Sequence, residues 1–96
     1  MNLMNLRAIF QPKTMCVVGV SQTNPLNPGT VIYQKNMHEM KVEVFGVNPR
    51  GGFLEDRELY RSVSDVPKDV DLAVICVRAP IVNGIVKECG EAGVKG

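Results

Sequence analysis

The sequence predicts an α/β fold, a Rossmann-like parallel sheet with flanking helices, and three runs of residues carry that prediction. Met15-Cys16-Val17-Val18-Gly19-Val20-Ser21 is an almost continuous apolar strand that flows into a glycine turn. Val44-Phe45-Gly46-Val47 is a second, ending in Asn48-Pro49-Arg50. Asp71-Leu72-Ala73-Val74-Ile75-Cys76-Val77 is the third, and it leads through Arg78 into Ala79-Pro80 and a helical pattern. Strands that are apolar without alternation are covered on both faces, as in parallel sheets with helices on either side.

At 96 residues the chain is read as one domain, 1–96. Its core is modest, so each strand matters to stability. The net charge is +1 with acids and bases interspersed, which gives no basic face for nucleic acid or an anionic membrane. No apolar run approaches the ~20 residues of a membrane span. The amino terminus lacks the basic-then-apolar layout of a secretory leader. Cys16, Cys76 and Cys89 form an odd set with no paired spacing and read as reduced thiols, so the expected location is cytoplasmic. With one histidine and no C-x-x-C, no metal site is expected.

The elements follow in order. Leu3, Leu6, Ile9 and Phe10 recur at helical spacing and predict a lead-in helix closed by Pro12. The first strand covers residues 14–20. Residues 21–28 contain two Asn-Pro steps and read as a loop, because a residue before proline is pushed out of the α region. A helix opens at Gly29 and runs to about Met40, with Ile32, Tyr33, Met37 and Met40 on one face. Val42 to Val47 is the second strand, broken by Asn48-Pro49-Arg50-Gly51-Gly52.

In 53–70 the expectation is a short edge strand over Leu59 to Val63, then a helical turn at Ser64-Asp65-Val66-Pro67. The third strand, 71–77, hands over to a helix with proline at its first position, where the missing N–H costs nothing. Ile81 or Val82, Ile85, Val86 and Cys89 are its expected buried face. Lys87, Glu88, Glu91 and Lys95 are its solvated one, and Gly90 and Gly93 end it. Val94-Lys95-Gly96 then leads toward another parallel strand, as a right-handed crossover requires. The chain therefore reads as the first part of a longer polypeptide, its sheet truncated before the last strand. The open sheet edge predicts self-association.

Ligands of open α/β sheets bind outside the carboxyl ends of the strands. That singles out Gly19 to Gly29, Asn48 to Gly52 and Val77 to Pro80. Gly19 lets a ligand approach the backbone, Ser21 offers a hydroxyl, and the helix opening at Gly29 offers N–H groups to a phosphate. The dinucleotide fingerprint G-x-G-x-x-G fails, since Val20, Ser21, Gln22, Thr23 and Asn24 follow Gly19. The acid that would hold a ribose diol is replaced by Asn48, with Arg50 two residues on. An arginine there suits a ribose-bound phosphate, as on NADP or coenzyme A; the plain alternative is a solvated loop charge. No catalytic group stands out: His38 reads as a solvated helix residue, Cys16 and Cys76 as packing residues, and Met37 and Met40 as core.

Taken together, Val18-Gly19-Val20-Ser21, Gly46-Val47-Asn48-Pro49-Arg50 and Val70-Asp71-Leu72-Ala73-Val74-Ile75 resemble a known family. It is the coenzyme A-binding domain that begins NDP-forming acyl-CoA synthetases, related to that of the succinyl-CoA ligase α subunit. The resemblance extends from Leu6 to Lys95. It implies that the chain binds coenzyme A or acyl-CoA as the amino-terminal module of an ADP-forming acid–CoA ligase. It implies contacts from Gly19, Val20 and Ser21, from Asn48, Pro49 and Arg50, and from Val77, Arg78, Ala79 and Pro80 at the edge of the site. The expected partners are the remaining domains of the parent synthetase. Two positions depart from the family: Val20 stands where alanine is usual, and Arg78 where proline is frequent. The family's phosphorylated histidine and ATP-grasp module lie outside this region. An NADP-binding domain of an oxidoreductase, or a degenerate interaction domain that binds nothing, are the alternatives.

Overall fold

The computed structural model describes residues 12–39 and 41–96. The elements are β1 (Thr14–Val18), α1 (Pro28–Glu39), β2 (Glu43–Val47), β3 (Phe53–Leu54), β4 (Arg57–Tyr60), a 3-10 turn (Val63–Asp65), β5 (Leu72–Ile75) and α2 (Ala79–Glu91). They build one sheet in the order β3-β4-β2-β1-β5. β4, β2, β1 and β5 run parallel, and β3 runs antiparallel to β4. From β1 the chain winds outward to β2, then returns to place β5 on β1's other side. The winding reverses between β1 and β5, and the expected Rossmann-like α/β class is the one found.

Side chains of β1 alternate between two apolar layers. Met15 and Val17 join Val20, Tyr33, Val44 and Leu59 beneath α1. Cys16 and Val18 join Phe45, Val47, Val63, Val66, Val70 and Cys89 on the α2 side. This double burial explains why β1 carries no polar alternation. Burial, with the charges of Cys89 and Glu88 nearby, pushes the Cys16 thiol up to about 12, so it is an inert packing group. All three cysteines are free. No helix among the described residues is long and apolar enough to cross a membrane.

Several boundaries differ from expectation, each for a local reason. β1 stops at Val18 because Gly19 turns the chain at φ 103°. The helix starts one residue earlier than expected, at Pro28. Asn27 is its cap, accepting the Thr30 N–H on Oδ1 at 3.0 Å, with proline at the first helical position. The expected edge strand over Leu59 to Val63 is instead a hairpin, β3–β4. Glu55 (φ 51°) and Asp56 (φ 65°) form its turn, and β4 lies inside the sheet between β3 and β2. The second-strand and third-strand spans shorten to Glu43–Val47 and Leu72–Ile75.

On α2, Cys89 is buried and Ile85 packs on the core, whereas Ile81 and Val86 are about half exposed. Glu88, expected on the solvated face, accepts the Val63 N–H at 2.6 Å and ties α2 to the 3-10 turn. Lys95 pairs with Asp71 at 3.4 Å. The lead-in helix and Met40 lie outside the described residues. At the far end, the Ala73 N–H donates to the Gly96 carbonyl at 2.9 Å, so the last residues run alongside the outer edge of β5 as a further strand would begin.

Candidate functional site

The carboxyl ends of β1, β2, β4 and β5 form one rim. The turn after β1 is shaped by close approach. A Cβ on Gly19 would collide with the Cys76 carbonyl oxygen, and one on Gly29 would stand 2.5 Å from the Gly19 carbonyl oxygen. Glycine at both places lets the start of α1 and the end of β5 close on the same turn. The buried Thr30 hydroxyl then pins Ser21 at both ends of its backbone: it accepts the Ser21 N–H at 2.8 Å and donates to the Ser21 carbonyl at 3.0 Å.

The Ser21 hydroxyl accepts N–H groups from Thr23 and Asn24, at 3.2 and 3.0 Å. Two accepted hydrogen bonds occupy both lone pairs of a hydroxyl oxygen, which leaves its own proton to donate. Ser21 is therefore an oriented donor, half-buried at the rim, fit for an acceptor such as a phosphate oxygen. Fewer helix donors are open than the sequence implies. Pro28 has no N–H, and Thr30's is capped by Asn27. Gly29 supplies the first-turn N–H that has no partner among the described residues.

The turn after β2 is bolted to the turn after β1. Asn48 donates through Nδ2 to the Val20 carbonyl at 2.7 Å and accepts the Arg50 N–H on Oδ1 at 2.7 Å. Its backbone N–H donates to Tyr60, and its carbonyl accepts Gly51, both at 2.8 Å. Pro49 occupies the second position of that four-residue turn, where its fixed φ fits. Gln22 adds a second bridge, donating to the Gly51 carbonyl at 2.8 Å. Pro49 and Arg50 are thereby presented outward, and Arg50 makes no ion pair among the described residues.

The remaining sequence-derived positions divide. Val20 is 1% exposed; its side chain enters the α1-side core and leaves its backbone at the rim. The bulk that valine adds over alanine is thus spent inward, away from any ligand path. Val77 packs partly on the α2-side core, while Arg78 and Pro80 are exposed at the start of α2. Arg78 precedes that helix without a side-chain cap, and Ala79 is its first residue. Asn27, Thr30 and Gln22 escape a reading of the sequence alone. The S/T/D/N-before-proline pattern could have exposed Asn27; the others act through partners 9 to 29 residues away or across strands, which no local pattern reveals.

A wider cavity, about 790 Å³, opens at the opposite end of the sheet, beside Lys13, Thr14, Asp69 and Asp71. Much of its charge is already satisfied. Asp71 accepts N–H groups of Lys13 and Thr14 at 2.9 and 3.3 Å, and Lys68 pairs with Glu43 at 2.7 Å. The Lys13 backbone bond, with that of Thr14 and the Lys95 ammonium, holds the Asp71 carboxyl below its ordinary range. His38, 64% exposed in its side chain, faces Glu55 at 3.2 Å, far from the rim. No group of three or more metal-ligating side chains occurs among the described residues.

Comparison with known proteins shows the family of the chain. Residues 13–96 match the family model described as a CoA binding domain. The chain is 39% identical to the α subunit of ADP-forming acetate–CoA ligase I of Pyrococcus furiosus, covering 96% of this chain and 21% of that one. It is 34% identical to the ADP-forming 4-hydroxybutyrate–CoA ligase of Nitrosopumilus maritimus, covering 92% of this chain and 12% of that one. Among solved structures it superposes on the dinucleotide-forming acetyl-coenzyme A synthetase 1 of Ca. Korarchaeum cryptofilum, in complex with phosphate and ADP. The TM-score is 0.86 at 36% identity, over 96% of this chain and 20% of that one. The chain thus spans about a fifth or less of these relatives. By the order of its turns and the match across nearly all its length, it belongs to the family of coenzyme A-binding domains.

Proposed function

We propose that this chain binds coenzyme A or acyl-CoA along the carboxyl rim of its sheet, as a module of an ADP-forming acyl-CoA synthetase. The single observation that carries the reading is the Asn48 clamp. It joins the turns after β1 and β2 while leaving Ser21 as an oriented donor and Arg50 as an outward cation. Gly19, Val20 and Ser21 would meet the pyrophosphate with backbone and hydroxyl, beside the start of α1 at Gly29. Arg50, next to Pro49, would neutralise the ribose phosphate. Val77, Arg78, Ala79 and Pro80 would border the pantetheine arm. The module's own work is recognition, and the acid–CoA ligase chemistry belongs to the parent protein.

Arg50→Ala separates this from a general anion effect. Affinity for coenzyme A should fall about tenfold or more, while dephospho-coenzyme A, which lacks the ribose phosphate, should lose little. Equal losses for both would remove the ribose-phosphate role. The NADP reading is less well supported, because the second and third glycines of G-x-G-x-x-G are absent after Gly19. A degenerate domain that binds nothing has no use for a rim cation and an oriented donor side by side.

The partners that fit are the other domains of the parent synthetase. Every residue of β5 is half-buried, so that side of the sheet invites cover. In the isolated chain the same surface supports self-association. Light scattering at rising concentration should show dimers; a clean monomer throughout would oppose this. Free thiols throughout fit a cytoplasmic setting.

A further inference from the structure

We propose that Gln22 is a positioning residue that holds Arg50 in place from the neighbouring turn. Through this hold the chain selects a ligand that carries a phosphate on its ribose. The inference rests on the coenzyme A reading and assigns that preference to a side chain no motif singles out. Gln22 reaches from the turn after β1 to the turn after β2, donating through Nε2 to the Gly51 carbonyl at 2.8 Å. Gly51 is the residue that directly follows Arg50.

The Arg50 turn needs a hold on its far side. On its near side Asn48 accepts the Arg50 N–H on Oδ1 at 2.7 Å and the Gly51 N–H on its carbonyl at 2.8 Å. Beyond Arg50 come two glycines at positive φ, Gly51 at 67° and Gly52 at 97°. Glycine is the most permissive residue, so this pair alone would let the cation swing. The Gln22 side chain lies on the pair. A Cβ on Gly52 would collide with the Gln22 amide, whose Cδ and Oε1 stand 2.6 Å from its place. Gly52 is bare where that amide rests.

A hold is only as firm as its origin, and this origin is fixed. The buried Thr30 hydroxyl binds the N–H and the carbonyl of Ser21, which holds the peptide joining Ser21 to Gln22. The Ser21 hydroxyl and the Gln22 amide therefore leave one anchored point. The first is a donor at the rim, and the second sets where Arg50 stands relative to it. Gln22 is itself exposed, so its contribution to folding is small. What it fixes is the spacing of donor and cation, which a ligand with phosphates at two places reads.

The test measures affinities for coenzyme A and dephospho-coenzyme A in the unaltered chain, Gln22→Met, Arg50→Ala and the double variant. Methionine has the length to lie over Gly52 but cannot donate. Gln22→Met should weaken coenzyme A about threefold to tenfold, the worth of one hydrogen bond, and dephospho-coenzyme A by less than about twofold. With Arg50 already replaced, it should change neither affinity, since its effect runs through that arginine. Melting temperature should stay near that of the unaltered chain. Equal losses for both ligands, a loss that persists in the Arg50→Ala background, or an unchanged preference in Gln22→Met overturns the positioning role and leaves the coenzyme A reading standing. An unaltered chain that does not distinguish the two ligands also overturns it. One that binds neither overturns the coenzyme A reading as well.

Discussion

The β1–β2 half of this sheet and its β5–α2 half are built differently, although both present a strand, a turn and a helix. In the first, four of the five β1 residues and four of the five β2 residues are buried. Their two following turns are cross-linked by the side chains of Asn48 and Gln22, and Thr30 ties the first of them to α1. In the second, no β5 residue is fully buried, and α2 begins at Arg78 without a side-chain cap. The turn after β5 rests on backbone bonds such as Cys76 N–H to Val18. Rigid positioning is thus concentrated where phosphate recognition is proposed. The β5 side is left adaptable, which suits a border to a flexible ligand arm or to a covering domain.

Disrupting the rigid half at its centre should have the gravest consequence. Gly19→Val would force a β-branched residue to φ 103° and against the Cys76 carbonyl. It should cost about 3 kcal/mol or more in chemical denaturation, enough to unfold much of so small a domain. A loss below about 1 kcal/mol would show that the turn relaxes and that the two halves are not locked through Gly19.

A paired substitution, milder in effect, contrasts the two turns directly. Asn48→Ala removes the bond to Val20 and the Arg50 cap, and should cost about 2 kcal/mol together with ligand affinity. Arg78→Ala, on the other turn, should change stability by less than about 0.5 kcal/mol. Similar stability losses from both would dissolve the distinction between a clamped turn and a loose one.

A weaker effect belongs to the opposite end of the sheet. Because the folded-state carboxyl of Asp71 titrates below its ordinary value of 3.8, its stabilisation is complete above that pH. It is lost as pH falls through the lower, folded-state value. Melting temperature should therefore drop on acidification below about 4, and Asp71→Asn should flatten that part of the profile. An identical acid profile in the variant would show that Asp71 does not couple the starts of β1 and β5.

The frame of this molecule is legible in the sequence because its signals are local. The apolar runs at 15–18, 44–47 and 72–75 each form a strand, and Ala79-Pro80 starts a helix as the proline requires. The hairpin at 53–60 is illegible because its turn uses Glu55 and Asp56 at positive φ, where glycine or asparagine is the usual sign. In the site, Gly19 and Arg50 stand where strand-end logic puts them. Val20 departs from that logic, since a residue just past a strand end can still turn its side chain into the core. Thr30 and Gln22 become visible only when the fold brings distant turns together, because long-range hydrogen bonds leave no periodic trace.

Whether the clamped rim recognises coenzyme A is decided by calorimetric titration of the chain, with NADPH as the comparison ligand. Coenzyme A should bind saturably and near-stoichiometrically, and NADPH should give no binding heat. Saturation by NADPH with no heat from coenzyme A would contradict recognition of coenzyme A by this rim.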